Sequence, residues 1–150
     1  MTADSAPGVS WLQYHDPPVR LHAGGTSHWL IDCAELWADG DLRDVIVAHL
    51  RHKLDALYPG PASLVAIPRG GICWAQAIAR AGDEVYSIEG WQAAPLGSLP
   101  AVLVDDVYTT GASIAAARVQ FGPVPALVVV NRASFNPLWD VWAWAYIPLP

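Results

Sequence analysis

Lysine is almost missing from this chain: Lys53 is the only one among eight basic residues, which face fourteen acids. The net charge of −6 leaves no basic stripe to neutralise a run of phosphates, which excludes nucleic acid as a partner. Cysteine is scarce as well. Cys33 and Cys73 stand far apart, with no Cys-x-x-Cys and no histidine at metal-ligand spacing. Free thiols in a reducing cytoplasm are the expectation, not a disulfide framework or a zinc site. No uninterrupted apolar run reaches membrane-spanning length. Internal repeats and low-complexity segments are lacking too, and residues 1–10 read as a short flexible tail, not a signal peptide.

What is present is apolar. Of 150 residues 53% are hydrophobic, and the mean hydropathy is +0.28, enough for one domain over residues 1–150 with a proper core. Residues 11–38 carry Pro17-Pro18 and Gly24-Gly25 and read as extended segments and turns. A helix capped by Asp39 or Asp41 runs to about Tyr58, with Leu42, Val45, Ile46, His49, Leu50, Leu54 and Leu57 as its buried stripe. Strands over residues 63–67, 84–88, 101–104 and 125–130 alternate with helices over 71–81 and 114–121. Continuous apolar strands alternating with helices predict a doubly wound α/β domain with a central parallel sheet.

Residues 101–113 carry the most chemistry. The apolar run Ala-Val-Leu-Val ends in Asp105 and Asp106. The small loop Thr109, Thr110, Gly111, Ala112 and Ser113 follows, and then the Ala-rich helix. Backbone N–H groups in such a turn converge on one point, and the helix dipole adds partial positive charge there. A phosphate fits without any lysine, and no Gly-x-x-x-x-Gly-Lys or Gly-x-Gly-x-x-Gly loop competes for that role. Acids beside an anion site make sense for a ligand that also offers hydroxyls, and a sugar phosphate does. The bland alternative, a strand–turn–helix with Asp caps, explains Thr-Thr-Gly but not two adjacent acids after a buried strand. A second turn of the same kind is Pro68, Arg69, Gly70 and Gly71. Paired glycines allow close backbone approach, and Arg69 can grip phosphate in a bidentate way.

Residues 101–113 closely resemble the 5-phosphoribosyl-1-pyrophosphate (PRPP) signature of the type I phosphoribosyltransferases. The resemblance implies that Asp105 and Asp106 hold the ribose hydroxyls and that Thr109, Thr110, Gly111, Ala112 and Ser113 hold the 5-phosphate. Arg69, Gly70 and Gly71 resemble the pyrophosphate loop of the same family. In the segment Leu21-His22-Ala23-Gly24-Gly25-Thr26-Ser27-His28-Trp29-Leu30-Ile31-Asp32, the residues Leu21, Gly24, Ser27, Trp29 and Asp32 match the orotate phosphoribosyltransferases. Val129-Val130-Asn131-Arg132 is similar to their Val-Asp-Arg turn. His22, Trp29 and Arg132 are thereby implied to face the base, under a small N-terminal hood over residues 11–38. Mg²⁺, held mainly by PRPP oxygens, and a homodimer are implied as well. Three departures stand out. His22 replaces a lysine, Gly25 replaces an arginine, and residues 87–100 contain no base where the orotate enzymes carry a basic loop.

The other polar residues have bland readings beside the functional ones. Arg132 is either a ligand contact or a surface charge. His22 and His28 flank the glycine pair as lysine substitutes or as surface histidines. His49 and His52 lack a third ligand and read as a solvated face. Cys73 reads as a small buried hydrophobe, not an activated thiol. Trp91 is a stacking partner for a base or a packing anchor. The alternating Trp142, Trp144 and Tyr146 mark either an inward-packed strand or a dimer surface. The expected activity is transfer of phosphoribosyl from PRPP to a nucleobase, orotate first. The alternative is a non-catalytic PRPP or nucleotide sensor that kept the site and lost the basic loop.

Overall fold

The computed structural model describes residues 4–5, 9–21, 24–88, 97–133 and 140–150. Two sheets organise them. A three-stranded antiparallel sheet, the hood, comprises β1 (Asp4–Ser5), β2 (Leu12–Arg20) and β3 (Thr26–Ile31). Asp4 and Ser5, expected in a free tail, pair with Tyr14 and Gln13. Two short helical segments follow in line, α1 (Cys33–Ala38) and α2 (Gly40–Leu57). The main sheet is fully parallel, in the order β5-β4-β6-β7-β8. Its strands are β4 (Ser63–Ala66), β5 (Glu84–Ser87), β6 (Ala101–Tyr108), β7 (Ala126–Asn131) and β8 (Val141–Tyr146), with α3 (Gly70–Ile78) and α4 (Ala112–Phe121) between them.

Alternation along each strand builds two apolar layers. Leu64, Ala66, Val102, Val104, Leu127 and Val129 point to the face covered by α2 and α3. Val65, Leu103, Ala126 and Val128 point to the opposite face, against Ile114 and Ala117 of α4. Burial on both faces is why these strands are apolar without interruption. On α2 the buried stripe is narrower than the periodicity suggested. Ile46, Leu50 and Leu54 are fully buried at a strict four-residue spacing, whereas Val45 and His49 lie on the exposed flank.

Two elements differ from the sequence reading for visible reasons. β6 continues through the acids to Tyr108, because Val107 and Tyr108 still pair with Val130 and Asn131 of β7. α1 was not anticipated, yet Asp32 caps it, its Oδ1 accepting from the N–H groups of Ala34 and Glu35 at 3.0 and 3.2 Å. The Asp-x-x-Glu spacing is the signal that marks such a start. On β8, Trp144 meets Trp11 edge to face at 6.3 Å, and Trp142 lies under the Lys53 ammonium at 4.7 Å. Both tryptophans are half-buried against the core, whereas Tyr146 on the same strand is 58% exposed.

Candidate functional site

The chain runs from β4 outward to β5, then returns to place β6 on the other side of β4. The crevice at the carboxyl ends of β4 and β6 is therefore the topological switch point, where open α/β sheets bind ligands. Both anion turns of the sequence open onto it. β4 ends at Ala66 opposite Val104, and Ile67 donates its N–H to Val104 O at 2.8 Å. β6 runs on beyond that point, so Asp105 and Asp106 lie along an edge that β4 no longer covers.

The two acids are not equivalent. Asp105 is 9% exposed, and its Oδ1 accepts from the Asp106 N–H at 2.8 Å. Burial first, and the Asp106 carboxylate second, push its pKa up to about 8. Asp106 is half-buried, accepts from the Val107 N–H at 2.7 Å, and lies against Gly70 on the neighbouring turn. The raised pKa favours the protonated form of Asp105 near neutrality, and Asp106 is the more accessible of the two.

After Tyr108 the chain turns through Thr109, Thr110 and Gly111 into α4. Gly111 is the N-cap with φ of +80°, a left-handed conformation that residues with a Cβ resist. No side chain caps this helix, and among its first N–H groups only that of Ala112 meets a hydroxyl, Thr110 Oγ1 at 3.3 Å. Residues 107–114 and Asp105 enclose a cup of about 20 Å³ here. Thr109, Thr110 and Gly111 form the turn, whereas Ala112 and Ser113, expected in the loop, already belong to α4.

The second turn, at α3, is built differently. Its peptide bond Pro68–Arg69 is cis, and Arg69 is exposed at the start of the helix with no side-chain cap. A Cβ on Gly70 would collide with the Asp106 carboxylate, and one on Gly71 would collide with Val104 O. The glycine pair therefore serves the close approach of α3 to β6. The space the sequence reading reserved for a ligand is in part taken by the protein's own carboxylate.

The hood reaches the sheet through Arg132, just past β7. Arg132 is 4% exposed, which overturns the surface-charge alternative. It donates to Trp29 O and Ser27 Oγ, both at 3.0 Å, and Ser27 Oγ in turn donates to Pro150 O at 2.9 Å. Burial lowers its pKa. Trp29 meets Tyr14 edge to face at 5.2 Å, and Tyr14 stacks on His28 at 5.3 Å. Arg132, Trp29 and Ser27 are brought together as a hood-to-sheet clamp. His22 and Trp91 lie outside the described residues.

The remaining bases are occupied. Arg43 donates to Trp37 O at 3.1 Å, Arg51 to Ala77 O at 2.6 Å, and Arg118 to Val124 O at 3.0 Å. Arg80 lies between Asp55 and Asp83 at 2.8 and 3.0 Å, and Lys53 covers Trp142. Arg69 is the one base at the crevice among the described residues, with Arg20 exposed on β2. A larger hollow of about 390 Å³ lies on the outer faces of α2 and α3, between Arg43, Val47, Arg51 and Ala77. Asp44, 4.0 Å from Arg43, and Ala48 line it too, and none of the residues singled out by the sequence does.

Thiol chemistry is disfavoured beside the acids. Burial raises both Cys33 and Cys73, and the charges of Asp106 and Asp105 raise Cys33 further. The described residues contain no group of three or more His, Cys, Asp or Glu suited to a metal. The hard oxygens at the crevice are those of Asp105 and Asp106, which suit Mg²⁺ arriving with a phosphorylated ligand that supplies most of the donors. No described helix is long and apolar enough to cross a membrane.

This arrangement is the type I phosphoribosyltransferase fold: a five-stranded parallel sheet, flanking helices and an N-terminal antiparallel hood. Among solved structures, orotate phosphoribosyltransferase from Aeropyrum pernix superposes with a TM-score of 0.68 at 24% identity, over 91% of this chain and 88% of that one. The Mycobacterium tuberculosis H37Rv orotate enzyme with inorganic phosphate gives 0.64 at 18%, over 91% and 89%. Adenine phosphoribosyltransferase from Thermoanaerobacter pseudethanolicus gives 0.65 at 14%, over 87% and 94%. No protein-family model and no curated protein matches the sequence.

Proposed function

We propose that the chain is a phosphoribosyltransferase that moves 5-phosphoribosyl from PRPP to a nucleobase nitrogen and releases pyrophosphate, with orotate the leading acceptor. One observation carries the reading: two helix-start turns flank the switch point, and an acid pair, Asp105 buried and Asp106 half-buried, lies between them. In this scheme residues 109–113 hold the 5-phosphate, and Asp105 and Asp106 hold the ribose hydroxyls. Arg69 and the α3 turn meet the pyrophosphate. Arg132 holds the hood, with Trp29 and His22, over the base.

The chemistry follows from charge. As the C1–oxygen bond to pyrophosphate breaks, positive charge grows on the ribose ring, and a fixed carboxylate there binds the transition state better than the ground state. The bond from nitrogen to C1 forms as the base's proton passes to Asp106, the more accessible member of the pair. Mg²⁺, when bound with PRPP, neutralises the pyrophosphate. A homodimer and a reducing cytoplasm, consistent with two free thiols, complete the reading.

A second reading, a non-catalytic sensor of PRPP or nucleotide, is supported by the scarcity of free bases at the crevice. Incubating the protein with PRPP, Mg²⁺ and a panel of bases, read by pyrophosphate release, separates the two. Nucleotide formed from orotate supports transfer. Thermal stabilisation by PRPP without product supports the sensor. Neither response would overturn both.

A further inference from the structure

The two ends of the crevice are provisioned unequally for anions. At the α4 end residues 109–113 line the cup, Gly111 holds the left-handed turn, and the helix start has no side-chain cap. Asp105, nine-tenths buried, lines the same cup, where its carboxyl can hydrogen-bond a sugar hydroxyl. At the α3 end a carboxylate is already in place: Asp106 lies against Gly70, in the first turn of that helix. Arg69 is the one base at the crevice among the described residues, and no base occurs anywhere in residues 87–100.

We infer that this site is built to retain a ribose 5-phosphate whose C1 carries a nucleobase, and that it binds nucleoside 5′-monophosphates more tightly than PRPP. The inference rests on the 5-phosphate assignment made above. A diphosphate at C1 sets two or more negative charges near Asp106, with one guanidinium and the Mg²⁺ that arrives with the ligand to answer them. A nucleobase at C1 brings little or no charge to that place, and like-charge repulsion falls away. The 5-phosphate and the ribose hydroxyls, common to both ligands, do not discriminate. In the transfer reading the nucleotide product is then slow to leave; in the sensor reading the nucleotide is the signal.

Titration calorimetry on the full chain, with and without Mg²⁺, tests this with four probes: ribose 5-phosphate, PRPP, orotidine 5′-monophosphate and uridine 5′-monophosphate. At least one nucleotide is expected to bind about 10-fold or more tighter than PRPP, and ribose 5-phosphate to bind measurably. PRPP binding tighter than both nucleotides would overturn the inference and leave the 5-phosphate assignment standing. No binding by any of the four would overturn both. Asp106→Asn provides an internal control. It weakens every ribose ligand, but it should shift the ratio of PRPP to nucleotide affinity toward PRPP, and an unchanged ratio would contradict the role given to that carboxylate.

Discussion

The β6–α4 turn and the β4–α3 turn look alike in sequence: each follows an apolar strand, contains glycine and opens a helix. In the folded chain they do different work. At α4, glycine supplies a left-handed φ at the cap of a helix start that no side chain caps. At α3, glycine supplies closeness, because Gly71 abuts Val104 O and Gly70 abuts the Asp106 carboxylate. The lesson is that a glycine in a helix-start turn has two unrelated uses, backbone conformation and packing distance. Both helix starts lack a side-chain cap, and the second use differs in setting the Asp106 carboxylate beside its helix.

Substitutions can break this contrast. The largest effect is expected from Gly71→Ala, which sets a methyl against a carbonyl of a central strand that cannot swing aside. A loss of about 3 kcal/mol is expected by chemical denaturation, with roughly 1 kcal/mol for Gly70→Ala, whose obstacle is a side chain. Equal losses would mean that Asp106 is as fixed as the backbone. Gly111→Val forces a β-branched residue into the left-handed region and should cost about 100-fold in ribose 5-phosphate affinity, the equivalent of two charge-assisted hydrogen bonds. Unchanged binding would place the phosphate elsewhere.

Asp105 sharpens the comparison through pH. Its carboxyl titrates at 3.8 when unfolded and near 8 when folded, so between those values only the folded chain keeps the proton. Stability therefore falls as pH rises from about 4 to about 8 and levels off above. Asp105→Asn removes that slope. It should melt higher than the parent at pH 8, by the equivalent of about 2 kcal/mol, and no higher at pH 4. A variant destabilised at pH 8 would show that the buried pair is ionised and paired instead. The smallest effect is expected from the exposed Arg69. Arg69→Ala should leave the melting temperature unchanged and weaken pyrophosphate or PRPP about 10-fold while sparing ribose 5-phosphate. Equal weakening of both would assign Arg69 to the 5-phosphate.

Much of this was readable from residue order. Apolar runs give buried parallel strands because both faces must be covered. The hydroxyl–glycine loop after paired acids specifies its turn locally, through backbone conformation and helix polarity. What was not readable depends on long-range packing. The α2 stripe was drawn too wide because Val45 and His49 are apolar or ambiguous in type yet lie on the solvent flank. The strand at Asp105 was ended too early because charge normally ends strands, whereas here β7 keeps pairing with it. The burial of Arg132 depends on Ser27 and Trp29, more than a hundred residues away. Asp32 was legible as a helix cap and was read only as a motif match.

The account stands or falls on where a sugar phosphate's anionic end goes. The direct test is the movement of backbone amide resonances in ¹⁵N-labelled protein as ribose 5-phosphate is added. Saturable shifts centred on Thr110, Gly111, Ala112 and Ser113, with those of Gly70 to Ile72 moving far less, are the expected result. Shifts centred on the α3 turn, or spread without either turn responding, would contradict it.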